Sequence, residues 1–362
     1  MEYICFNCIG ENYLKGYIKK KGTLAYCSYC QKMTKVVEFQ DIIEIIEDGI
    51  LFLYDDPANG LGWMDGEYVG NVQDSNDILA DYFDFDVDDN VIKNINSYFY
   101  DKIWCKKEFY DLDDSEEGYY TWEAFKYLTK HKTRYFFDKI YNFTDDEYSK
   151  YKTPNDILNK IMKISKRLKL FKILKKGTII YRARAGKYLS ISELCSAEPQ
   201  QCIYSNRFSP AGIPMFYGSD DIYTCMMEID KKNDCSIGKW EILEDIIVYD
   251  LTYKFFSSNG QYFYKNFPSI FDKERRNYYH DYKFILDFAS DICRKVIKNR
   301  DENIDYVPTQ IVIEYFKLNI KSLRGISFYG ATNGQKNYCL FLSKKQCLDG
   351  SLIKMIDSFY VK

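Results

Sequence analysis

The chain has 362 residues, more than one hydrophobic core usually serves, so two or three folding units are expected. Lysine and arginine total 50 against 53 aspartates and glutamates, and the resulting net charge of -3 excludes a global electrostatic pull toward nucleic acid or an anionic membrane. Hydrophobic residues make up 46% and aromatics 18%, which excludes a disordered chain, and no stretch reaches the roughly 20 apolar residues of a membrane helix.

No signal-peptide core precedes Cys5, so a soluble cytoplasmic protein with reduced thiols is expected, and its 12 cysteines do not read as a disulfide scaffold. Four of them stand apart. Cys5-x2-Cys8, eighteen residues, then Cys27-x2-Cys30 is the spacing of a treble clef or zinc ribbon, here 1–36. Each turn presents two thiolates, and two turns complete a tetrahedron. With all four positions taken by protein sulfur there is no open place for a water or substrate, so the expected zinc is structural. Lys15, Lys19, Lys20, Lys21, Lys32 and Lys35 make this ribbon the one local place where nucleic acid could bind. A metal-stapled cap is the plainer reading.

From Val36 to about Leu170 the periodicity is helical: Ile42-Ile43-Ile45-Ile46, Ile78-Leu79-Tyr82-Phe83 and Trp122-Phe125-Leu128 repeat at helical spacing. Asp84, Asp86, Asp88 and Asp89 alternate as calcium ligands do, but the glycine and terminal glutamate of an EF-hand are missing, so they read as a solvated loop. Thr153-Pro154 followed by Asn155-Asp156 starts a capped helix through Leu158, Ile161, Ile164 and Leu168, closing a helical domain over 37–172. His131 and His280 are the only histidines and have no partner in sequence, so a histidine-based nucleophilic triad is not expected. Neither glycine-rich phosphate cradle is present, which leaves phosphate recognition to side chains.

Beyond Phe171 the texture becomes mixed. Gly177 to Arg182, Ile246 to Tyr249, Tyr338 to Leu342 and the tail from Leu352 to Tyr360 read as strands. Ser219-Asp220-Asp221 caps a helix through Thr224, Met227 and Glu228, and a long amphipathic helix runs from about Glu274 to Lys298. Together these make a mixed α+β unit over 173–362. Its densest chemistry runs from Tyr181-Arg182-Ala183-Arg184 through Asn206-Arg207-Phe208-Ser209-Pro210-Ala211-Gly212-Ile213-Pro214-Met215-Phe216-Tyr217-Gly218 to a lone Glu228. Arginine forks grip diphosphate, a tyrosine stacks on a ring, and one carboxylate stabilises positive charge growing on a sugar as its glycosidic bond breaks.

Those residues resemble the RES domain family. The resemblance extends to Thr224 with Glu228, to Tyr306-x-Pro308-Thr309-Gln310, and to Gly325-Ile326-Ser327-Phe328-Tyr329 with Asn337-Tyr338-Cys339-Leu340-Phe341. It implies a fold related to ADP-ribosyltransferases and a toxin-like enzyme acting on NAD, as glycohydrolase or phosphorylase. In that reading Glu228 faces the oxocarbenium-like ribose, Arg182 with Arg207 clamps the diphosphate, Tyr217 stacks on or orients the nicotinamide, and Tyr181 and Asn337 are supporting substrate contacts. One departure from the family pattern puts Gly330 where the signature serine belongs, which either shifts the missing hydrogen bond to Thr332 or Asn333 or alters the activity.

Upstream, Cys5 to Cys30, Tyr120-Thr121-Trp122-x2-Phe125 and Thr133-Arg134-Tyr135-Phe136-Phe137 resemble the HEPN/RES amino-terminal domain. His131 precedes Arg134, the reverse of RNA-cutting HEPN relatives, so ribonuclease activity is not expected. The whole is a multidomain α+β protein: zinc ribbon, helical domain and RES domain. The resemblance also implies an antitoxin or regulatory partner and leaves a homo-oligomer open. Two rival functions stay open at this level: ADP-ribosyl transfer to a macromolecular acceptor, and a non-enzymatic zinc-ribbon binding module whose RES domain is degenerate.

Overall fold

The computed structural model of the protein describes residues 2–83, 89–109, 111–144, 149–229, 234–252, 254–256, 262–264, 267–294, 302–330 and 334–362. Asp84, Asp86 and Asp88 of the acidic loop lie outside them. The chain forms two compact units: Met1–Asp113 with Phe267–His280, and Asp114–Asn266 with Asp281–Lys362.

The first unit opens with β1 (Tyr3–Cys5), α1 (Asn12–Lys21), β2 (Thr23–Tyr26) and β3 (Met33–Glu38), whose strands form an antiparallel sheet in the order β1-β3-β2. A ten-residue helix sits between the two cysteine turns. Its local causes are readable: the Glu11 carboxylate accepts from Leu14 N, Leu14 and Ile18 bury one face four residues apart, and Lys19, Lys20 and Lys21 complement the carboxyl end of the helix dipole. α2 (Phe39–Leu53) buries Ile42, Ile43, Ile46 and Ile50 in the same core as Ile4, Val36 and Phe271. Gly49 lets the Phe271 ring lie against the helix, where a Cβ would stand 2.3 Å from Phe271 Cδ1.

The helical run expected onward from Val36 is interrupted by short strands at Tyr54–Asp55, Gly62–Met64, Glu67–Val69, Val72–Asp74 and Ile103–Lys106, between which lie α3 (Ser75–Tyr82) and α4 (Asp89–Tyr98). The Gly62–Met64 and Glu67–Val69 strands make a two-residue hairpin turning on Asp65 (φ 51°) and Gly66 (φ 91°), with Trp63 edge-on to Tyr68 across the strands at 4.5 Å. An Asp-Gly pair flanked by aromatics is a hairpin signal of the mirror-image turn type, and it overrides helical periodicity here.

The second unit begins with α5 (Asp114–His131) and α6 (Pro154–Arg167). Both fall with the sheet that follows, so the helical stretch expected to end at 172 divides between Asp113 and Asp114. α6 carries its expected start: Pro154 opens the first turn, and Thr153 N donates to Asp156 Oδ2 at 2.7 Å. The sheet comprises β4 (Phe171–Leu174), β5 (Ile179–Ala185), β6 (Phe216–Ser219), β7 (Cys235–Ile242), β8 (Ile246–Asp250), β9 (Leu323–Tyr329), β10 (Lys336–Leu340) and β11 (Ile353–Val361). Its order is β11-β7-β5-β6-β10-β9-β8-β4, antiparallel except between β8 and β9. α7 (Ile222–Met227) packs over β5, β6 and β10, and α8 (Tyr279–Cys293) and α9 (Val307–Asn319) complete the labelled helices.

Alternation along the strands sorts side chains between two faces. Ile180, Phe216, Trp240, Val248, Tyr338 and Leu340 build a core on one. On the other, Tyr181 and Ala183 pack with Cys235 and Ile237 and with Cys225 of α7.

Candidate active site and cysteine cluster

Cys5 ends β1 and Cys8 lies in the turn after it, while Cys27 and Cys30 lie in the turn after β2. Their four Sγ atoms all lie within 4.8 Å of one another, with Cys5–Cys8 at 3.6 Å, Cys5–Cys30 at 3.7 Å and Cys8–Cys27 at 3.8 Å. A tetrahedron with Zn–S bonds of about 2.3 Å has edges of roughly 3.8 Å, so the donor set fits zinc in element and in spacing. Burial pushes the Cys5 and Cys8 thiols up; at Cys27 burial also raises, but backbone amides of Cys30 and Tyr29 outweigh it and leave the thiol lowered. Four thiols shut together in this way make a poor core without a cation.

In the second unit β5 and β6 pair only at Tyr181↔Ser219, and no further residues of the two strands are paired toward Arg184 and Phe216. Beyond that single pair Arg182 Nη1 donates to the Tyr217 carbonyl at 3.0 Å, with its guanidinium 5.0 Å from the centroid of the Phe216 ring. Arg182 thus leaves the strand toward the Phe216–Trp240 core, and Tyr181 leaves it toward α7. Burial opposes the Arg182 charge, lowering its pKa, though a guanidinium stays ionised. Arg184, on the same side, is exposed, donates to the Glu193 carbonyl and lies 4.7 Å from the Tyr188 ring centroid.

On the α7 face, a row crosses four strands: Tyr181 of β5, Ser219 of β6, Asn337 of β10 and Phe328 of β9. The neighbouring row places Tyr217 beside Cys339 and Ile326. α7 is fixed above by its amino-terminal cap, where the Asp221 carboxylate accepts from Thr224 N at 2.7 Å and Thr224 Oγ1 at 2.8 Å. Glu228 ends that helix, exposed, with its Oε1 accepting from Asn337 Nδ2 at 2.9 Å. Asn337 itself is only 4% exposed, and its Oδ1 has no hydrogen-bond partner among the described residues.

The Asn206–Ser209 loop closes the site from another side. Asn206 N donates to the Ser209 carbonyl at 2.8 Å, and Gln310 Nε2, from α9, donates to the Asn206 carbonyl at 2.8 Å. That clasp presents Arg207 toward Phe328, 5.7 Å from its ring centroid, with Nη2 donating to the Arg294 carbonyl at 3.1 Å. Phe208 meets Phe328 edge-on at 4.9 Å, and Ser209 Oγ pairs with the Tyr217 hydroxyl at 3.3 Å. Burial pushes the Tyr217 phenol well up, so it remains a neutral hydrogen-bonding group near pH 7.

Glu228, Asn337, Tyr181, Tyr217 and Arg207 are therefore brought to one face, and Arg182 to the other side of the sheet. Ser327, the serine of the closing strand, is fully buried and donates to Asp250 Oδ1 at 2.6 Å, away from Glu228. Gly330 closes a turn through its N–H to the Gln335 carbonyl at 2.8 Å; Thr332 and Asn333 lie outside the described residues. Ser209, Ser219 and Phe328 were not singled out as site residues by sequence reasoning. Only the strand register joins the last two to Asn337, and no sequence motif carries that register.

The family comparisons bear directly on these residues. The HEPN/RES N-terminal domain 1 model matches residues 20–143, and the RES domain model matches residues 179–244. This chain carries a HEPN/RES N-terminal domain followed by a RES domain. The RES match includes Tyr181, Arg182, Arg207, Tyr217 and Glu228 and stops before Asn337. Among solved structures, the M. tuberculosis MbcT–MbcA toxin–antitoxin complex holds a chain 12% identical to this one; the match covers 57% of this chain and 91% of that one, with a TM-score of 0.32. No curated protein matches.

Gly218 decides how closely β5 and β6 approach within the RES domain. A Cβ there would stand 2.5 Å from Ile180 Cγ2 and 2.7 Å from the Tyr181 carbonyl oxygen, and the latter is backbone that cannot step aside. Gly218→Ala should destabilise the second unit by about 1–3 kcal/mol, as overpacked sites do, and disturb the Arg182–Tyr217 contact. Urea unfolding followed by near-UV signal measures it; a midpoint equal to wild type would contradict the close approach.

Proposed function

We propose that the chain cleaves the nicotinamide–ribose bond of NAD. The observation that carries this reading is the convergence of Glu228, Asn337, Tyr181, Tyr217 and Arg207 on one face of the sheet, within and beside the stretch matched as a RES domain. The glycosidic bond breaks with its electron pair leaving on the nicotinamide nitrogen, and C1 of the ribose becomes oxocarbenium-like. Glu228, at an exposed helix end, stabilises that charge and accepts from a ribose hydroxyl. Water at C1 gives ADP-ribose and a proton; inorganic phosphate gives ADP-ribose 1″-phosphate, with nicotinamide leaving in both cases. Arg207 binds the diphosphate from the Glu228 side, and Arg182, in the gap beyond Tyr181 and Ser219, supports it from the other. Tyr217 orients the nicotinamide with its neutral hydroxyl and Tyr181 lines the ribose, while Thr332 or Asn333 takes the role of the missing serine.

Zinc on Cys5, Cys8, Cys27 and Cys30 is structural in this proposal, a fourfold sulfur set that fixes the turns of the first unit. A chain that drains NAD needs restraint, so an antitoxin or regulatory partner belongs to the reading, with the zinc ribbon the place for any nucleic-acid contact. No helix among the described residues is long and apolar enough to cross a membrane. A cytoplasmic protein acting on the cell's NAD pool accords with that. The second reading is ADP-ribosyl transfer, favoured by the exposure of Glu228, which leaves room for a macromolecular acceptor.

Product analysis separates the branches. Purified protein with labelled NAD is expected to give ADP-ribose in phosphate-free buffer or the 1-phosphate when phosphate is present. Label recovered on protein or nucleic acid would select transfer, and NAD unchanged in all arms would overturn the proposal.

A further inference from the structure

Asn337 carries an observation that the proposed chemistry at Glu228 does not use. Its Nδ2 donates to Glu228 Oε1 at 2.9 Å, which fixes the amide orientation, because the reverse flip would set two acceptor oxygens against each other. Oδ1 must then point away from the carboxylate. It is buried with no hydrogen-bond partner among the described residues, on a side chain 4% exposed. A buried amide oxygen left unpaired is costly, and cores seldom retain one. Its neighbours across the sheet offer no remedy: Phe328 has no donor, and Ser219 Oγ already donates to the Lys336 carbonyl at 2.8 Å. The unpaired acceptor and the exposed Glu228 carboxylate lie at opposite ends of one amide, a few ångströms apart.

We infer that Asn337 Oδ1 is the second half of a ribose subsite, in which Glu228 and Asn337 each accept from one hydroxyl of a cis-diol. A vicinal diol supplies two donors on adjacent carbons, and this juxtaposition presents two acceptors held in register by the Nδ2–Oε1 bond. Oδ1 is closed to solvent in the free chain, so water does not satisfy it before the sugar does. Asn337 is thus both a positioning residue for Glu228 and the residue that selects a hydroxylated sugar over a ring without hydroxyls. This rests on the proposed reading of the site as an NAD site, but it concerns binding and can be tested without turnover.

The experiment titrates the full chain, by calorimetry, with ADP-ribose and with ADP esterified to a tetrahydrofuran methanol that has the ring but no hydroxyls. ADP-ribose is expected to bind at least tenfold tighter, since two hydrogen bonds are at stake, one of them to a carboxylate. Asn337→Ala should cut the preference several-fold, with little change in affinity for the tetrahydrofuran ligand, whose terminal ring carries no hydroxyl. Asn337→Asp, of nearly the same shape, guards against a folding loss: it keeps an acceptor but sets a second carboxylate against Glu228, and should also weaken ADP-ribose binding. Equal affinities for the two ligands in wild type, or a preference unchanged in folded Asn337→Ala, would overturn the subsite. An ADP-ribose preference that depends on Asn337, in a chain that never cleaves NAD, would uphold the subsite while the catalytic reading fails.

Discussion

Glu228→Gln is expected to lower NAD turnover by at least about 100-fold while leaving the fold intact. The glutamine has the same shape and its Oε1 can still accept from Asn337 Nδ2, so the contact that holds the end of α7 to β10 survives. What is lost is the negative charge facing the ribose as C1 becomes cationic. Removing one preorganised electrostatic partner of a transition state typically costs about 3–4 kcal/mol, which is two to three orders of magnitude in rate. Ground-state affinity should change far less, because bound NAD carries no developing charge at C1. The measurement is kcat from nicotinamide release alongside ADP-ribose affinity; equal kcat in the two proteins would remove Glu228 from the mechanism.

The other large effect is expected at the cysteine cluster. Structural zinc sites contribute an apparent 10–16 kcal/mol in small domains, more than the total stability of most folding units. Cys5, Cys8 and Cys27 lie in the same core as Ile42, Ile46 and Phe271, so loss of the ion should loosen the whole first unit, beyond the two cysteine turns. Elemental analysis should find one zinc per chain. Cys8→Ser, or a strong chelator, should abolish hydrogen-exchange protection in α1 and α2 and leave that of the eight-stranded sheet in place. A metal-free chain with unchanged protection at Ile42 and Ile46 would contradict the assignment.

The local elements that carry the candidate site were legible because their signals are local. The spacing of four cysteines, the cap of α7 and the strand alternation at Arg182 are each written in a few consecutive residues, and the structure places them as elements of the expected kind. Which face of β5 meets Glu228 was not legible. Alternation puts Arg182 and Arg184 on one side, but only the order β5-β6-β10-β9 shows that Tyr181, not Arg182, shares a face with Asn337. Strand order brings together segments more than a hundred residues apart, and no local propensity encodes it. The same holds for Phe267–His280, which returns to the first unit from the middle of the second. The hairpin at Asp65–Gly66 differs, for its turn signal was present in the sequence and lost to the helical periodicity on either side.

The most direct test of the central claim is chromatographic detection of free nicotinamide from NAD incubated with the purified chain. The account predicts release that is stoichiometric with NAD consumed and falls with Glu228→Gln. Intact NAD, from a protein that binds zinc and ADP-ribose and is fully folded, would contradict it.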